Sequence, residues 1–526
     1  MTLPPFDGVV YQIYPRSFRD TTGNGVGDLA GITAELDHLV WLGVDAVWLS
    51  PIYRSPMADF GYDVADHADV DPLFGTLDDA DRLIAEAHAR GLKVLLDWVP
   101  NHTSDQHPWF CASRYSRDDP HRDWYVWRDP GPDGGPPNNW TRHFADEPAW
   151  TFDESTGQYY LHLFLPQQPD LNWAEPALRA AMHDVLRFWM DRGVDGFRAD
   201  VVHLIGKNPE LPDDPEWLRG VPRAGFHHVE VTHEHLRTIR RVLDEQPDRL
   251  IVGEINLPDA AQVATYVAPD QLHLAFFFGL IYAPWEARSW RDTIRYADTH
   301  FDAVGAWPTW VLGNHDNPRL ATRLGSQAAA RAAVTALLTL RGVPFLYAGD
   351  ELGLEDAEVP PERRVDPGGR DGSRAPLPWD DTPGHGWAGD PWLPWPPARE
   401  ERNVAAQRTD PGSVLRLHRR LLALRRRSTA LRVGAQQVPD VHDDVLAVHR
   451  WLSEPSAAGT STASDEDRRA RLILTSTAAA PRHLELPESL AGPWQIEVSS
   501  DGQGEGRAFT GEIGANQALV LVGDGR

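Results

Sequence analysis

Cysteine is almost absent from this sequence, and long apolar runs are missing altogether. The 526 residues contain one cysteine, Cys111, which excludes an internal disulfide and is typical of a reducing compartment. No run approaches the roughly 20 apolar residues that a membrane-spanning helix needs. Residues 1–7 also lack the charged start and apolar stretch of a secretion signal. We therefore expect a soluble cytoplasmic protein with no membrane partner.

Basic residues are scarce relative to acidic ones. The chain has 50 Lys and Arg against 77 Asp and Glu, which gives a formal net charge of -27. A polyanion would be repelled by such a surface, so nucleic acid and anionic membranes are not expected partners. A neutral or cationic ligand is favoured instead. A chain of this length can bury a large core and normally has more than one domain.

What the sequence does contain is a repeated unit, in which an amphipathic helix ends at a glycine and an apolar strand follows. The glycines are Gly43, Gly91, Gly193 and Gly342, and glycine ends a helix without a Cβ penalty. Strands are predicted at residues 9–14, 46–49, 94–97, 196–198, 250–254, 271–277, 309–313 and 344–347. Eight strands alternating with helices predict a closed (β/α)8 TIM barrel. An open doubly wound sheet remains the alternative, because periodicity does not show closure.

Two irregular, Pro-rich stretches interrupt this pattern. Residues 103–173 are predicted to form an inserted domain after the third strand, and residues 353–397 a loop insertion after the eighth. The barrel would then comprise residues 1–102 and 174–430. Residues 431–526 are predicted to form a C-terminal antiparallel β-sandwich, in which the low-complexity segment 453–467 is a mobile loop.

Four acidic side chains occur where predicted strands end. Asp97, Asp200, Glu254 and Asp316 each lie at or just after the carboxyl end of an apolar run. Because these ends meet on one face of a barrel, we expect the four carboxylates to converge at its mouth. Taken singly, each acid is more often a helix cap or an ion-pair partner.

Convergent carboxylates are suited to the cleavage of glycosidic bonds. That reaction needs one ionised carboxylate to attack the sugar carbon and one protonated carboxyl to release the leaving oxygen. Arg198 and Asp200 are two apart on a strand and share a face, so the guanidinium can hold Asp200 ionised. We therefore predict Asp200 as the nucleophile and Glu254 as the acid/base.

The acidic segments resemble the four signature regions of glycoside hydrolase family thirteen, the α-amylase family. Gln168–Asn172 is similar to a fifth region found in its oligo-1,6-glucosidase and α-glucosidase branch, and so are Gln12–Phe18 and Asn101–Asp105. The resemblance covers residues from about 9 to 430. It implies a retaining, exo-acting α-glucosidase that cuts α-1,4 or α-1,6 bonds, or both, at the non-reducing end of oligosaccharides such as maltose and isomaltose, with or without transglucosylation.

The resemblance also implies roles for single residues. Asp316 would grip sugar hydroxyls, His102 and His315 would donate hydrogen bonds to the same sugar, and Asp97 and Arg198 would orient their neighbours. Tyr62, Arg370 and Arg374 would clasp the terminal glucose, with Asp63 and Arg374 closing the pocket behind it. Tyr62 and Phe164 are the aromatics expected against the sugar. The alternative for Arg370 and Arg374 is a pair of solvated loop charges.

Linkage preference is predicted from the residue after the nucleophile. In this branch Val is frequent there in enzymes that cut α-1,6 bonds, and here it is Val201. The sucrose-isomerising relatives carry an Arg-Leu-Asp-Arg-Asp segment where this chain has Arg323-Leu324-Gly325, which makes isomerisation less expected. A transglucosylase or a trehalose- or sucrose-converting enzyme remains an alternative. A non-catalytic member of the family is disfavoured, since all three acids are present.

Two further motifs suggest metal ions. Residues 20–28 place oxygen ligands at alternate positions, and related glucosidases bind a structural divalent ion through residues matching Asp20, Thr22, Asn24, the Val26 carbonyl and Asp28. We expect a structural Ca²⁺ or Mg²⁺ there, and no cofactor for catalysis; the alternative is a self-bonded turn.

A second motif, His227, His228, His233 and His235, resembles a zinc cluster. A solvated polar segment is the favoured interpretation, because the four residues straddle the approach to a helix without a clear third ligand.

Overall fold

Eight parallel strands, labelled β1 to β8, form a closed barrel in the computed structural model, which describes residues 6–215, 229–452 and 469–523. The strands are Val10–Ile13, Ala46–Leu49, Lys93–Trp98, Gly196–Ala199, Leu250–Gly253, Leu274–Phe277, Thr309–Val311 and Val343–Tyr347. Each pairs with its neighbours along the chain, and β1 closes the ring against β8 with Val10 opposite Phe345. The predicted (β/α)8 barrel is confirmed and the open sheet is excluded.

Helices surround this barrel and continue into the later parts of the chain. They are Leu29–Ala34, Leu36–Leu42, Leu77–Ala89, Pro108–Tyr115, Pro176–Asp191, Glu230–Leu243, Ala260–Thr265, Gly279–Tyr282, Ala287–Ala303, Leu320–Leu324, Gln327–Thr339, Val404–Thr409, Val414–Arg427 and Thr429–Val433. The predicted role of Gly342 as a helix end is wrong, because the helix Gln327–Thr339 already ends at Leu340 in an extended conformation. Gly43, Gly91 and Gly193 lie at or directly after a helix C-cap and have left-handed backbones, with φ of 103°, 78° and 100°. Each lets the chain turn from a helix directly into the next strand.

Alternate residues of the strands fill the barrel interior. Val10, Trp48, Leu95, Phe276 and Phe345 belong to one buried cluster inside the ring. Their neighbours in sequence point outward and pack against the helices, as the two-residue period of a strand requires. The filled interior forms a rigid base under the mouth, where the polar residues lie.

The segment between β3 and the helix Pro176–Asp191 carries its own small sheet. Three antiparallel strands, Trp127–Arg128, Gln158–Leu161 and Trp150–Asp153, are paired in that order. The buried cluster of this insertion includes Val201, the residue after Asp200. The insertion therefore packs directly over the carboxyl end of β4.

The C-terminal strands form an antiparallel sheet separate from the barrel. Its order is Ala435–Gln437, Val445–Trp451, Ala470–Ser476, Ala518–Gly523 and Gln495–Ser499, and Arg482–His483 pairs with Glu512–Ile513 in a two-stranded ribbon. A C-terminal antiparallel sheet is confirmed, whereas the sandwich arrangement and the bounds of residues 431–526 stay predictions. The segment predicted as a mobile loop, 453–467, lies outside the described residues.

Among the helices that the structure describes, none is long and apolar enough to cross a membrane. The cytoplasmic location stays a prediction.

Candidate active site

The acids predicted from the strand ends meet at the mouth of the barrel. Asp97 lies within β3, Asp200 directly follows β4, Glu254 directly follows β5, and Asp316 lies in the loop after β7. A cavity of about 260 Å³ opens there and is lined by Asp200, Glu254 and Asp316. Its volume is near the lower end of that of small-ligand pockets.

Arg198 is the central cation of this site. Its Nη1 donates to Asp97 Oδ1 at 2.8 Å and to Asp200 Oδ1 at 2.8 Å, while Nη2 donates to Glu254 Oε2. The guanidinium is 2% exposed, so these contacts are hardly screened by water. The two terminal nitrogens of one guanidinium therefore hold Asp200 and Glu254 next to each other.

The protonation state of this cluster depends on one cation, Arg198, that contacts three carboxylates. Burial raises the pKa of Asp200 well above its ordinary value, against the opposing effect of Arg198. Burial also raises the pKa of Asp97 to about 7. Because like charges this close do not all ionise together, the cluster retains a proton near neutral pH.

Val201 has a left-handed backbone, with φ 32° and ψ 39°. This conformation is costly for a β-branched residue and occurs mainly where the surroundings enforce it. Here it directs the Val201 amide toward Glu254, which accepts from it at 3.2 Å. The residue after Asp200 therefore contacts the predicted acid/base through its backbone as well as lining the cavity with its side chain.

Asp316 is held by cations on its far side. Its Oδ1 accepts from Arg370 Nη1 at 2.8 Å and from Arg374 Nη2 at 3.1 Å, and its Oδ2 lies 3.3 Å from His315 Nε2. Burial acts to raise the pKa of Asp316, but His315 and the two arginines outweigh it and hold the pKa below its ordinary value. Asp316 is therefore ionised and ready to accept hydrogen bonds from sugar hydroxyls.

The predicted pairing of Asp63 with Arg374 is wrong. Asp63 is fully buried and accepts from Ser55 Oγ at 2.9 Å and from the amides of its own loop, Ala58 at 2.8 Å and Asp59 at 2.9 Å. It is absent from the cavity lining, and so is Arg374. Both residues support the site from behind rather than facing it.

The wall that they were expected to form is made by Asp59 and Arg370. Arg370 Nη2 donates to Asp59 Oδ1 at 2.7 Å and to Asp366 Oδ1 at 2.6 Å, and its guanidinium lies 4.8 Å from the centre of the Phe144 ring. Both Asp59 and Arg370 line the cavity. The alternative of solvated loop charges is thereby excluded for Arg370, whose side chain is 13% exposed. It is excluded for Arg374 too, whose side chain is 0% exposed.

Two buried histidines, His102 and His315, line the cavity, and their hydrogen bonds to sugar stay a prediction. Burial lowers the pKa of His102 and of His315 to about 3, so both rings are neutral. The Gln12 amide nitrogen, 2.8 Å from His315 Nδ1, can only donate. The proton of His315 therefore lies on Nε2, which faces Tyr62 Oη at 2.7 Å.

The aromatics predicted to contact sugar are mostly buried against these histidines. The Tyr62 ring stacks on His315 with centres 5.3 Å apart, and the Phe164 ring lies 5.0 Å from His102. Tyr62 is 5% exposed and Phe164 is 7% exposed. Both line the cavity, but little of either ring is exposed there.

The Gln168–Asn172 motif joins the insertion to the barrel beside the site. Gln168 Nε2 donates to Asp59 Oδ2 at 3.1 Å and lies 3.1 Å from His102 Nε2. Asp170 accepts from Lys207 Nζ at 2.9 Å, and the two side chains are 0% and 7% exposed. The motif thus positions Asp59 and His102 together.

The loop from Asp20 to Asp28 is tightly closed on itself. The Asp20 and Asp28 side chains are buried, and Asp28 caps the helix that follows. Asp20 Oδ1 accepts from the Thr22 amide at 2.9 Å, and Asn24 Oδ1 accepts from the Val26 amide at 2.8 Å. The oxygen atoms that could act as metal ligands belong to carboxylate, hydroxyl, amide and carbonyl groups, which are the ligand types of Ca²⁺ and Mg²⁺.

Across the three described ranges, no group of three or more His, Cys, Asp or Glu side chains is placed to hold a metal ion. His233 is buried and lies 2.7 Å from Gln271 Oε1 through its Nδ1, and His235 is buried beside Trp173. The prediction of a solvated segment is therefore wrong for these two residues. His227 and His228 lie outside the described residues.

The family model for the α-amylase catalytic domain matches residues 12–434 of the chain, which include all of the barrel strands except the first two residues of β1, the insertion and every acid of the site. The chain belongs to the α-amylase family.

Relatives in the α-amylase family share most of the chain. A probable α-glucosidase of Rhizobium meliloti is 41% identical over 477 residues, 84% of this chain and 86% of the relative. The oligo-1,6-glucosidase of Parageobacillus thermoglucosidasius is 38% identical over 500 residues, 85% and 87% of the two chains. The trehalose-6-phosphate hydrolase of Bacillus subtilis is 34% identical over 536 residues, 93% and 92% of the two chains.

Solved structures of similar chains superpose over nearly the whole length. The α-glucosyl transfer enzyme XgtA has a TM-score of 0.90 at 39% identity and covers 99% of this chain and 100% of its own. The trehalulose synthase MutB of Pseudomonas mesoacidophila has a TM-score of 0.90 at 36% identity, with 98% of each chain covered. The overall architecture is therefore shared with an α-glucosyl transfer enzyme and a trehalulose synthase.

Sequence reasoning missed several residues that line this α-amylase-family cavity. They are Asp59, His143, Phe144, Asn256, Phe278, Asn314, Asn317, Gly368 and Tyr282. Asp59 lies four residues before Asp63 in the same segment. The motif therefore identified the correct loop, but Asp63 was predicted where Asp59 lines the cavity. Asn256 lies two residues after Glu254, a position that shares the direction of Glu254 along an extended chain.

Proposed function

We propose that this protein is a retaining, exo-acting α-glucosidase that removes single glucose units from the non-reducing end of short α-glucosides. The observation that supports this most directly is the arrangement around Arg198. It holds Asp200 and Glu254 side by side in a cavity whose wall contains the Asp59–Arg370 pair. Neighbouring carboxyl groups fit a retaining mechanism, whereas inverting enzymes need a wider gap for water.

The chemistry proceeds in two steps at these carboxyl groups. Asp200 attacks the anomeric carbon while Glu254 gives its proton to the leaving oxygen. Water then replaces Asp200 at that carbon, with Glu254 taking the proton of the water. The Arg198 contacts hold Asp200 aligned for attack, and Asp316 and the neutral histidines bind the hydroxyls of the same sugar.

The wall formed by Asp59 and Arg370 supports exo action. A buried ion pair forms this side of the cavity, and in the proposed function it lies behind the terminal glucose. It also presents charged donor and acceptor groups to the terminal hydroxyls of a bound glucose.

The charged residues that line the cavity disfavour phosphorylated substrates, such as the substrates of the trehalose-6-phosphate hydrolases. The described lining carries four acids, Asp59, Asp200, Glu254 and Asp316, against the single cation Arg370. That cation already contacts three carboxylates. A sugar phosphate would meet net repulsion here, so neutral maltose and isomaltose are the proposed substrates.

Transfer of glucose to another sugar is the second candidate activity. The structural similarity to an α-glucosyl transfer enzyme supports it. Hydrolysis and transfer share the covalent intermediate and differ only in whether water or a sugar hydroxyl accepts the glucose.

We also propose that the loop from Asp20 to Asp28 holds a structural divalent cation. Two buried carboxylates, the Thr22 hydroxyl, the Asn24 amide oxygen and the Val26 carbonyl supply hard oxygen ligands in one loop. The ion would stabilise the start of the barrel and take no part in the reaction.

The test of the main proposal is a set of matched variants. Asp200→Asn should lower kcat/KM for maltose by about 10³-fold or more, because the nucleophile is lost. Glu254→Gln should lose far more activity with maltose than with α-glucosyl fluoride, whose leaving group needs no proton. Azide should restore turnover of the fluoride by Glu254→Gln and yield α-glucosyl azide, the retained anomer.

Asp195→Asn serves as the control, because Asp195 lies at the amino end of the same strand β4 and contacts Lys93 and His88 there. It should keep near wild-type rates. Near wild-type maltose turnover by Asp200→Asn, or a β-configured azide product, would reject the mechanism.

A further inference from the structure

The cavity has a direction, which the positions of its charged residues define. Asp59 and Arg370 occupy the wall that would receive the non-reducing end of the bound sugar. Glu254 must lie beside the leaving oxygen to protonate it, so the leaving sugar extends along the side of the cavity that holds Glu254. Three lining residues lie together on this side, because Asn256 is two residues after Glu254 and Tyr282 contacts both Asn256, at 3.5 Å, and the Phe278 ring, at 6.4 Å.

Tyr282 differs from the other aromatic residues of the cavity in its exposure. It is 60% exposed, whereas Tyr62, Phe164 and Phe278 are 5%, 7% and 5% exposed. Within residues 6–215, 229–452 and 469–523, it is the one large hydrophobic side chain that lines the cavity and is also exposed. Its ring therefore offers aromatic surface at the mouth that the buried rings do not.

The backbone beneath Tyr282 is held firmly in place. Tyr282 ends the short helix that follows β6, and its amide donates to Phe278 O at 3.3 Å. Arg323 Nη1 donates to the preceding carbonyl, Ile281 O, at 3.0 Å. The Tyr282 ring packs edge-on against Phe278 at 6.4 Å, and its hydroxyl lies 3.5 Å from Asn256 Oδ1. The Tyr282 ring is therefore exposed, while the backbone that carries it is held in place by these hydrogen bonds.

We propose that Tyr282 is the platform on which the leaving sugar of the substrate stacks, and on which an acceptor sugar stacks during transfer. The proposal rests on the proposed α-glucosidase function and adds the residue that selects the leaving and accepting sugar. The C–H face of a pyranose packs favourably on an aromatic ring, and an anchored ring loses little conformational entropy on binding.

The platform would act on both halves of the reaction. In the transfer step, an acceptor hydroxyl oxygen bonds to the anomeric carbon while the bond from that carbon to Asp200 breaks. The electron pair of that bond returns to the Asp200 carboxylate, and Glu254 takes the hydroxyl proton. Water needs no aromatic platform, so Tyr282 raises the share of sugar acceptors relative to water.

The experiment compares wild type, Tyr282→Ala and Tyr282→Phe with α-glucosyl fluoride, maltose and isomaltose. The fluoride has no leaving sugar, so Tyr282→Ala should lower kcat/KM for the disaccharides about tenfold more than for the fluoride. With the fluoride as donor and added glucose as acceptor, the ratio of transfer to hydrolysis should fall by a similar factor. Tyr282→Phe should keep the wild-type pattern, because the ring remains.

Tyr115→Ala is the control for loss of an exposed tyrosine, since Tyr115 is 87% exposed and does not line the cavity. Equal losses on the fluoride and the disaccharides in Tyr282→Ala, or an unchanged transfer ratio, would overturn the platform. Failure of wild type to release glucose from any of the three substrates would instead overturn the proposed function.

Discussion

Asp59 and Arg370 lie 311 positions apart in the chain and form an ion pair of 2.7 Å in the wall of the active-site cavity. Arg370 simultaneously contacts Asp316 at 2.8 Å, so Asp59 and Asp316 share one cation. Arg370 thus joins the loops after β2, β7 and β8. In the proposed α-glucosidase, the wall behind the terminal glucose and the support of Asp316 are coupled through Arg370.

The first prediction concerns this wall. Asp59→Asn should lower kcat/KM for maltose by about 10- to 100-fold, because a buried charged hydrogen bond contributes about 1.5–3 kcal/mol. The strict release of glucose from the end of maltotriose should also weaken. Steady-state kinetics and product profiles over time measure both effects.

Asp63→Asn is the matched comparison for Asp59→Asn. It should lower the melting temperature and leave the KM for maltose nearly unchanged, since Asp63 binds amides of its own loop and does not face the cavity. A change in KM as large as that of Asp59→Asn would contradict the placement of Asp63.

The second prediction concerns pH. The nucleophile must be ionised, and burial raises the pKa of Asp200. Activity should therefore be complete only above that raised pKa and should fall as pH drops through it, at a pH above the ordinary Asp value of about 3.9. The acid limb of kcat/KM against pH measures this, and a limb at or below about pH 4 would contradict it.

Removing the charge of a neighbouring carboxylate tests the direction of this pKa shift. Asp97 acts to raise the pKa of Asp200, so Asp97→Asn should move the acid limb to lower pH. A shift to higher pH would show that the role of Asp97 in orienting Arg198 outweighs its charge.

The third prediction concerns linkage. If the Val201 side chain favours α-1,6 bonds, wild type should cleave isomaltose faster than maltose, and Val201→Thr should shift the ratio of the two kcat/KM values toward maltose. A contact of this size is worth about 1–3 kcal/mol, so the shift should be about 10-fold or more. Equal ratios in both proteins would show that Val201 acts on Glu254 through its amide alone.

The fourth prediction concerns the loop from Asp20 to Asp28. Treatment with a chelator should lower the melting temperature by several degrees and added Ca²⁺ or Mg²⁺ should restore it, because binding at about 100 times the Kd stabilises a fold by about 2.7 kcal/mol. Elemental analysis of the purified protein should find about one ion per chain. Asp20→Asn should abolish the response to the chelator, and an undiminished response in that variant would place the ion elsewhere.

Much of the barrel was predictable because its signals are local. The glycine after a helix and the apolar run that follows lie within a few residues of each other, as at Gly91 and β3. The acids were predictable for the same reason, since Asp200 and Glu254 directly follow β4 and β5. Strand direction alone then places both at one mouth.

The residues that sequence reasoning misplaced depend on contacts between distant segments. Asp59 and Asp63 lie on the same short loop, and only the folded position of Arg370 distinguishes the one that faces the cavity. The exposure of Tyr282 follows from what packs around its helix, which no local pattern records.

The sequence by itself determined the alternation of strands and helices, the C-terminal antiparallel strands and the order of the carboxylates along the chain, because periodicity and strand ends are properties of neighbouring residues. The tertiary structure decided that Arg198 holds Asp97, Asp200 and Glu254 together, that Asp59 rather than Asp63 pairs with Arg370, and that Tyr282 is exposed at the mouth. These relationships depend on distance and burial between segments far apart in the chain, which exist only once the barrel has closed.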